Sequence, residues 1–495
     1  MSKIIIQNGN MCELDLPLKF AQKLYNEFAI RHPNAFYLRT RQRGMQNWDG
    51  KIHYITKTGQ FKIGLLPKVY DMCIEMGIKP KVVDMRQPLP KVSKVVTNIG
   101  KYKLRPEQEK AVKSVINNRV GDIPFQIGVL DLTVNFGKTL IMTSLYLSYK
   151  KQLKTLLITN DSDWLNQARE EFKQYLPGED ITFVQGKVLN WSNFTIGMVQ
   201  SISRNMRFYQ KELSQIDMVL VDEADQGGSK QYQNVITRLF NTRIRIGLSG
   251  TIYMSKLAKD KVKNMNLECF FGKVIAEFKL KDSIKKGYST KTIVKMVPGK
   301  PWYGNWESDC ISYKEIYDDS ITENNSAWTM AYNRLRWNIN QGRYPALVVC
   351  KHIAHCENLY KFFKKKLGDA YNIAYVHVNT PSKLRQQIMR DFREGKIDIL
   401  VSTTIIARGK NFPKLRYLLN AASMDSQEKS IQFLGRLVRT DKSKKKVYLD
   451  DLHYPGPYLD RHGKHRKQYY QRQELKVILL DKLWKKHPNH SLIKS

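Results

Sequence analysis

Three short runs in this chain carry the groups that handle phosphate. The first is Thr133-Val134-Asn135-Phe136-Gly137-Lys138-Thr139, between an apolar run ending at Leu132 and an apolar helical segment reaching Leu147. Strand, loop, helix is the setting in which backbone N–H groups and a helix N-terminus bind phosphate. Lys138 is then placed for the β- and γ-phosphates of a nucleotide, and the Thr139 hydroxyl for Mg²⁺. Leu132 stands where the strict pattern wants glycine. Asn135 stands where another glycine is common, and asparagine tolerates the left-handed conformation better than most residues. The second run is Asp222-Glu223-Ala224-Asp225 after the apolar Met218–Val221. A carboxylate at the C-terminal edge of such a strand faces the crevice where α/β sheets bind ligands. Asp222 suits Mg²⁺ held through water, and Glu223 suits orienting or deprotonating an attacking water. The third run is Gln432-Phe433-Leu434-Gly435-Arg436-Leu437-Val438-Arg439. Two arginines three apart on a helix share a face. A cation delivered to the γ-phosphate is worth roughly 10³–10⁵ in rate.

Bland readings exist for each run: a ligand-free helix start, a solvated acidic turn, a basic helix lying on nucleic acid. The wholly apolar strand before Asp222 weighs against the second, and Gln432 and Gly435 in register with the arginines weigh against the third.

These runs need a scaffold, and the apolar pattern supplies one. Strand-like segments are expected at Gly128–Leu132, Thr155–Thr159, Phe194–Val199, Met218–Asp222 and Ile244–Ser249, with helical stretches between several of them. The pattern repeats at Ala346–Cys350, Ile373–Val378, Ile397–Ser402, Tyr417–Ala421 and Val447–Asp450. Alternation of this kind predicts parallel sheets covered by helices, here built twice. Ahead of them, Leu18–Ile30 reads as an amphipathic helix, and Lys51–Ile55 as a strand resuming after the Asp49-Gly50 turn.

The expected organisation is therefore α/β. A small α+β domain spans 1–98 and two sheet lobes span 99–285 and 286–452. An aromatic-rich segment, 296–338, holds Trp302, Trp306, Trp328 and Trp337, and a basic extension covers 453–495.

With 495 residues, the chain exceeds one core. Lys plus Arg number 83 against 45 Asp plus Glu, a net charge of +38. That excess costs self-repulsion and points to a polyanionic partner. The six cysteines form no CxxC pair, which argues against a zinc ribbon or disulfide framework and fits a reducing cytoplasm. No apolar run reaches the ~18 residues a membrane span needs, so no membrane partner is expected. The N-terminus lacks the apolar region of a signal peptide.

Leu104-Arg105-Pro106-Glu107-Gln108, the phosphate loop, the Asp222–Asp225 run, Ser249-Gly250-Thr251 and Gln432–Arg439 together resemble the motifs of superfamily 2 helicases, in their order, over about residues 100–450. Within that superfamily the chain resembles the phage UvsW-type recombination DNA helicases. That likeness rests on Asn47-Trp48-Asp49-Gly50-Lys51, on Cys350-Lys351-His352-Ile353-Ala354-His355 and on overall length. The resemblance implies two RecA-like lobes in tandem, use of ATP and Mg²⁺, and movement along or unwinding of DNA, especially branched DNA and RNA–DNA hybrids. It implies a monomer on DNA in the host-cell cytoplasm, with phage recombination and single-strand-binding proteins as candidate partners. An RNA helicase, or an ATP-switched annealing protein, shares every motif quoted. Gln108 and Arg105 are implied at the adenine, with Asn135, Gly137 and Gly409 around the nucleotide. Ser249, Gly250 and Thr251 are implied in coupling hydrolysis to movement. Asn160-Asp161 and Asn411 depart from the family pattern.

In such motors the strand lies across the tops of both lobes, held by its phosphates, where strand-end hydroxyl and amide groups suit contact. Candidates are Gln200, Ser201, Thr403, Thr404, Lys351 and His352; singly, such residues are more often caps. Arg41, Arg43, Trp48 and Lys51 mix charge with a ring, as strand tracking requires, although Trp48 suits a core equally well. Arg461, Lys464 and Arg466 belong to a basic run in the tail. His462 and His465, lying within that run, are not read as a metal pair.

Overall fold

A computed structural model describes residues 2–41, 45–252, 258–299, 312–407 and 412–480. They form two compact units, Met1–Phe278 and Lys279–Ser495.

The first unit opens with β1 (Lys3–Ile6), β2 (Met11–Asp15), α1 (Leu18–Glu27), β3 (Ala29–Arg31), α2 (Ala35–Arg41), β4 (Lys51–His53), β5 (Gln60–Lys62), α3 (Leu66–Glu75) and β6 (Lys81–Asp84). Four of these strands make a sheet in the order β5-β2-β1-β6, while β3 and β4 form a separate antiparallel ribbon. The expected helix to Ile30 stops at Glu27 because Ala29–Arg31 pairs with Lys51–His53. The strand expected to reach Ile55 ends at His53.

Residues 1–98 do not carry a separate core. Phe61, Ile63 and Leu65 share one buried cluster with Cys269, Phe270 and Phe271 of the lobe that follows. Gly64 lies so close to that segment that a Cβ would meet the Glu268 carbonyl at 2.1 Å. Arg245 tightens the same junction: fully buried, it donates to the Phe270 carbonyl (3.1 Å), the Gly9 carbonyl (2.5 Å) and Asn10 Oδ1 (2.8 Å).

The lobe itself runs α4 (Pro106–Ile116), β7 (Ile127–Leu132), α5 (Lys138–Ser148), β8 (Thr155–Thr159), α6 (Ser162–Tyr175), β9 (Ile181–Val184), β10 (Phe194–Met198), α7 (Val199–Arg204), β11 (Met218–Asp222), α8 (Lys230–Ile236), β12 (Ile244–Ser249), α9 (Ala258–Phe271) and β13 (Val274–Phe278). All seven strands are parallel, in the order β9-β10-β8-β11-β12-β7-β13.

The second unit contains β14 (Lys291–Pro298), α10 (Asn325–Ile339), β15 (Ala346–Cys350), α11 (Ile353–Leu367), β16 (Ile373–Val376), α12 (Ser382–Glu394), β17 (Ile399–Thr403), β18 (Tyr417–Asn420), α13 (Gln427–Leu437), β19 (Lys446–His453), α14 (Leu459–Arg472) and β20 (Val477–Leu479). Its parallel order is β16-β17-β15-β18-β19-β14-β20. Counting each unit's sheet strands from its own first, both orders read 3-4-2-5-6-1-7. The duplicated architecture expected from the pattern is thus a duplicated topology. Buried central strands read as continuous apolar runs because helices cover both sheet faces.

Two expectations change in the second unit. The residues taken as an inter-lobe segment are built into it: β14 pairs with β19, and Trp328 on α10 lies edge-on to Phe362 of α11. The tail is not a peripheral basic arm, since β20 pairs with β14 and α14 packs against α13. Trp302 and Trp306 lie outside the described residues.

Candidate nucleotide site and nucleic-acid surface

β7 delivers the loop Thr133–Gly137 to the start of α5. Asn135 adopts φ 66° and Gly137 φ 86°, both left-handed. Asparagine therefore does here what glycine does in the strict pattern. At Gly137 the left-handed φ favours glycine, and a Cβ there would lie 2.5 Å from Gln108 Nε2 and displace that amide. Gln108 is buried and spent locally. Its Nε2 donates to the Phe136 carbonyl (2.7 Å), which also accepts from Arg105 Nη2 (2.5 Å), and its Oε1 accepts from Arg105 N (2.8 Å). Arg105 and Gln108 thus brace the loop from α4.

β11 ends at Asp222, and Glu223 turns left-handed at φ 52°. Lys138 Nζ lies 3.2 Å from Glu223 Oε1 and 3.5 Å from Asp222 Oδ1. Burial alone would depress the Lys138 ammonium, but Glu223 and then Asp222 outweigh it and hold it above the ordinary lysine range. Burial pushes the Asp222 carboxyl up to about 6, partly opposed by Lys138. Asp222 Oδ1 is a buried oxygen without a conventional hydrogen bond. Oxygen donors of this kind, a carboxylate and the Thr139 hydroxyl at the start of α5, suit Mg²⁺, which keeps several waters and needs few protein ligands. ATP with Mg²⁺ therefore fits the residues present.

Ser249 at the end of β12 donates to Asp225 Oδ1 (2.9 Å) and lies 3.1 Å from the Thr251 hydroxyl. The acidic run is thereby tied to the next strand end. Gly250 allows the chain to pass Leu132, whose carbonyl a Cβ would meet at 2.9 Å.

In the second unit, Gln432 and Arg436 lie on α13, and Arg439 follows the helix, which ends at Leu437. The expected shared helical face is therefore incomplete. Thr290 draws the chain out of the helix, its N–H donating to the Val438 carbonyl (2.8 Å) and its hydroxyl to that of Arg439 (3.1 Å).

The surface residues separate into groups. Lys351 and His352 follow β15, Thr403 ends β17 and Thr404 follows it. Lys429 Nζ donates to Thr404 Oγ1 (3.3 Å), a partner the sequence gave no reason to single out. Burial, and then the charge of Lys429, lowers Lys351 from the ordinary lysine value. Thr403 itself is buried. In the first unit Gln200 Nε2 donates to the Asn160 carbonyl (3.3 Å), and Ser201 Oγ accepts from Gly186 N (3.0 Å), so both brace loops.

Arg41 ends α2 and Lys51 opens β4, and both are exposed. Trp48 is half-buried, and its indole N–H donates to the Lys51 carbonyl (2.9 Å), which fixes the ring edge against the start of β4. The exposed rings are Phe36 and Tyr37, at 82% and 55% exposure, with Arg41 over the Tyr37 ring at 5.0 Å.

Arg461 and Lys464 are exposed on α14, Lys464 in a pair with Asp460. Arg466 is a correction. It is fully buried against Asp451 (2.8 Å) and cannot reach a nucleic acid. His462 and His465 have an acidic neighbour, Asp425, brought in from before α13. Arg43 and Gly409 lie outside the described residues.

Residues 101–254 match the family model "Type III restriction enzyme, res subunit", and residues 331–441 match "Helicase conserved C-terminal domain". The chain belongs to the superfamily 2 helicases. Its two units are the RecA-like lobes of that superfamily. This helicase is 22% identical over 431 residues to the "ATP-dependent DNA helicase uvsW" of Enterobacteria phage T4, covering 82% of each chain. It is 22% identical over 385 residues to a protein named helicase 22 of a Sulfolobus islandicus filamentous virus. That match covers 71% of this chain and 64% of the relative, under two thirds of its length. Among solved structures it shares its fold with the ATP-dependent Type ISP restriction-modification enzyme LlaBIII bound to DNA. The TM-score is 0.56 at 13% identity, over 83% of this chain and 34% of that one.

Proposed function

We propose that this protein is a DNA-stimulated ATPase that couples hydrolysis to translocation and strand separation on branched DNA. The observation that carries the reading is the placement of Lys138 between Asp222 and Glu223 at the mouth of a left-handed phosphate loop, with Asp225 tied to Ser249. Lys138 would exchange its carboxylate partners for the β- and γ-phosphates, while Thr139 and Asp222 would hold Mg²⁺, the latter through water. The bound metal supplies charge neutralisation at the phosphates. Glu223, released from Lys138, would accept the proton of the attacking water. Arg436 and Arg439, from the second unit, would stabilise the transition-state charge.

DNA enters the reading on charge, on the strand-end cations Lys351 and Lys429 beside Thr404, and on the exposed helix α2. Helix α2 buries only Ala35 and presents Phe36, Tyr37, Arg39 and Arg41 to solvent. Aromatic rings flanked by arginines stack on bases and hold phosphates. The similarity to the phage T4 DNA helicase favours DNA as the track; the setting proposed with it is recombination and repair, with the protein acting as a monomer in the cytoplasm.

Two assays test this. Single-stranded, duplex and branched DNA compete with RNA as effectors of one ATPase reaction, and branched DNA is expected to stimulate most. RNA as the stronger effector would overturn the DNA assignment. Unwinding with ATP is compared with unwinding under a non-hydrolysable analogue, and equal activity would reduce ATP to a conformational switch.

A further inference from the structure

Helix α14 carries the basic run that reads, in sequence, as a nucleic-acid arm. Its inner face instead grips the loop that launches α13. That loop, residues 421–426, joins β18 to the helix carrying Gln432 and Arg436. Ser423 sits in it at φ 43°, a left-handed conformation that a serine keeps only where its surroundings over-determine it.

The surroundings do so residue by residue. The Ala422 carbonyl accepts from Tyr317 OH at 2.9 Å. The Met424 carbonyl accepts from Arg466 Nη1 at 2.9 Å. Asp425 Oδ1 lies 2.8 Å from His465 Nδ1, and Asp425 Oδ2 lies 3.9 Å from His462 Nε2. Ser426 then caps α13, accepting from Lys429 N at 3.3 Å. Arg466 is anchored in turn: Nε and Nη2 hold Asp451, and Nη2 also reaches the Leu452 carbonyl at 3.0 Å. The launch of α13 is thus referenced through α14 to the buried strand β19.

From Ser426 to Arg436 the helix rises about 15 Å at 1.5 Å per residue. A tilt of about 5° at the cap would move the Arg436 turn by about 1.3 Å. A misplacement near 1 Å costs on the order of 10²-fold where a group must meet a transition state.

We propose that α14 is a clamp that aims the arginine-bearing helix, with Asp425, His465 and Arg466 as positioning residues for ATP hydrolysis acting through Arg436. This rests on the ATPase reading given above. A purely stabilising contact would predict lower melting temperature and unchanged turnover. The clamp predicts the reverse emphasis.

The test uses the full chain and four variants: His465→Leu, His465→Asn, Asp425→Leu and Arg436→Ala. His465→Leu is expected to lower kcat about 10- to 100-fold with KM for ATP within about twofold, because the lost term is transition-state aim and not ground-state binding. His465→Asn, which keeps a donor near the Nδ1 position, should recover most of that loss. Asp425→Leu, close in shape but without an acceptor, should show the same kcat loss even if His465→Leu fails to fold. In an Arg436→Ala background, His465→Leu or Asp425→Leu should cost nothing further, since two residues acting as a unit are non-additive. Wild-type kcat in both single variants, or losses that multiply with Arg436→Ala, would overturn the clamp while leaving the ATPase reading intact. Wild-type kcat in Arg436→Ala would overturn the role of Arg436 and the clamp together.

Discussion

Two tandem pairs of carboxylates follow apolar strand runs in this protein, and they look alike in sequence. Asp222-Glu223 follows Met218–Val221, and Asp450-Asp451 follows Val447-Tyr448-Leu449. Their surroundings differ. β19 runs on past Asp451 to His453, so alternation sends the two aspartates to opposite sheet faces. Each meets an arginine from the covering helix. Asp450 accepts from Arg334 (2.6 Å), Asn338 (3.1 Å) and Tyr417 (3.1 Å), and Asp451 from Arg466 (3.0 Å), Tyr470 (2.7 Å) and Asn420 (2.9 Å). β11 instead stops at Asp222. Glu223 turns left-handed, and the two acids share one lysine, with Asp222 Oδ1 left without a conventional hydrogen bond. A carboxylate whose hydrogen-bonding capacity is used up holds the fold. One at a strand end, with spare capacity and a movable cation, can exchange its partner for a ligand.

The contrast can be broken at several points. Removing one member of a saturated buried pair leaves a charge stranded, so Arg334→Met should lower stability by about 3–5 kcal/mol. Urea unfolding measures this, and hydrolysis per folded molecule should stay within about twofold. A loss under about 1 kcal/mol would mean that the Asp450 cluster is not cement. At the other pair, Lys138→Ala should cut ATP turnover by roughly 10²–10³-fold with little effect on unfolding. Turnover within tenfold of wild type, read by phosphate release, would remove Lys138 from the site.

The acid limb of kcat/KM sharpens the same point. Asp222 is pushed up to about 6 by burial against the pull of Lys138. As pH falls through that value it gains a proton and loses its capacity for Mg²⁺, so kcat/KM for ATP should drop below pH about 6. A profile flat to pH 5 would contradict this. The smallest expected effect belongs to a cation of a third kind, Lys351, seated over the Tyr313 ring at 4.0 Å, its pKa lowered by burial and then by the charge of Lys429. Lys351→Ala should weaken DNA binding and lower the slope of log K against log salt by roughly 0.7–0.9. An unchanged slope would take Lys351 off the phosphate path.

Much of this was legible in the chain. The strands Thr155–Thr159, Met218–Asp222, Ile244–Ser249 and Ala346–Cys350 fall where the apolar runs lie, because strands buried on both faces show as uninterrupted runs. Edge strands such as Ile181–Val184 and Val477–Leu479 were missed, since half-exposed strands lack that signature. The phosphate loop was readable despite its irregular spelling, because Asn135 supplies the left-handed backbone that glycine usually gives. What could not be read were contacts set by tertiary pairing. Nothing near Arg466 in sequence announces Asp451 beneath it, and nothing near His465 announces Asp425, so a buried clamp passed for a surface arm. The latched Trp48 and the projecting Phe36 were likewise beyond composition, which shows that a ring is present but not which way it faces.

The central claim is that Glu223, held by Lys138 at the end of β11, is the base of a DNA-stimulated ATPase. The most direct measurement is steady-state Mg–ATP hydrolysis by the wild type and Glu223→Gln, each with and without branched DNA, alongside ATP binding. The account predicts hydrolysis that DNA stimulates in the wild type, a loss of about 10²–10⁴-fold in Glu223→Gln, and ATP binding retained in both. Hydrolysis that survives Glu223→Gln, or that DNA leaves unchanged, would contradict it.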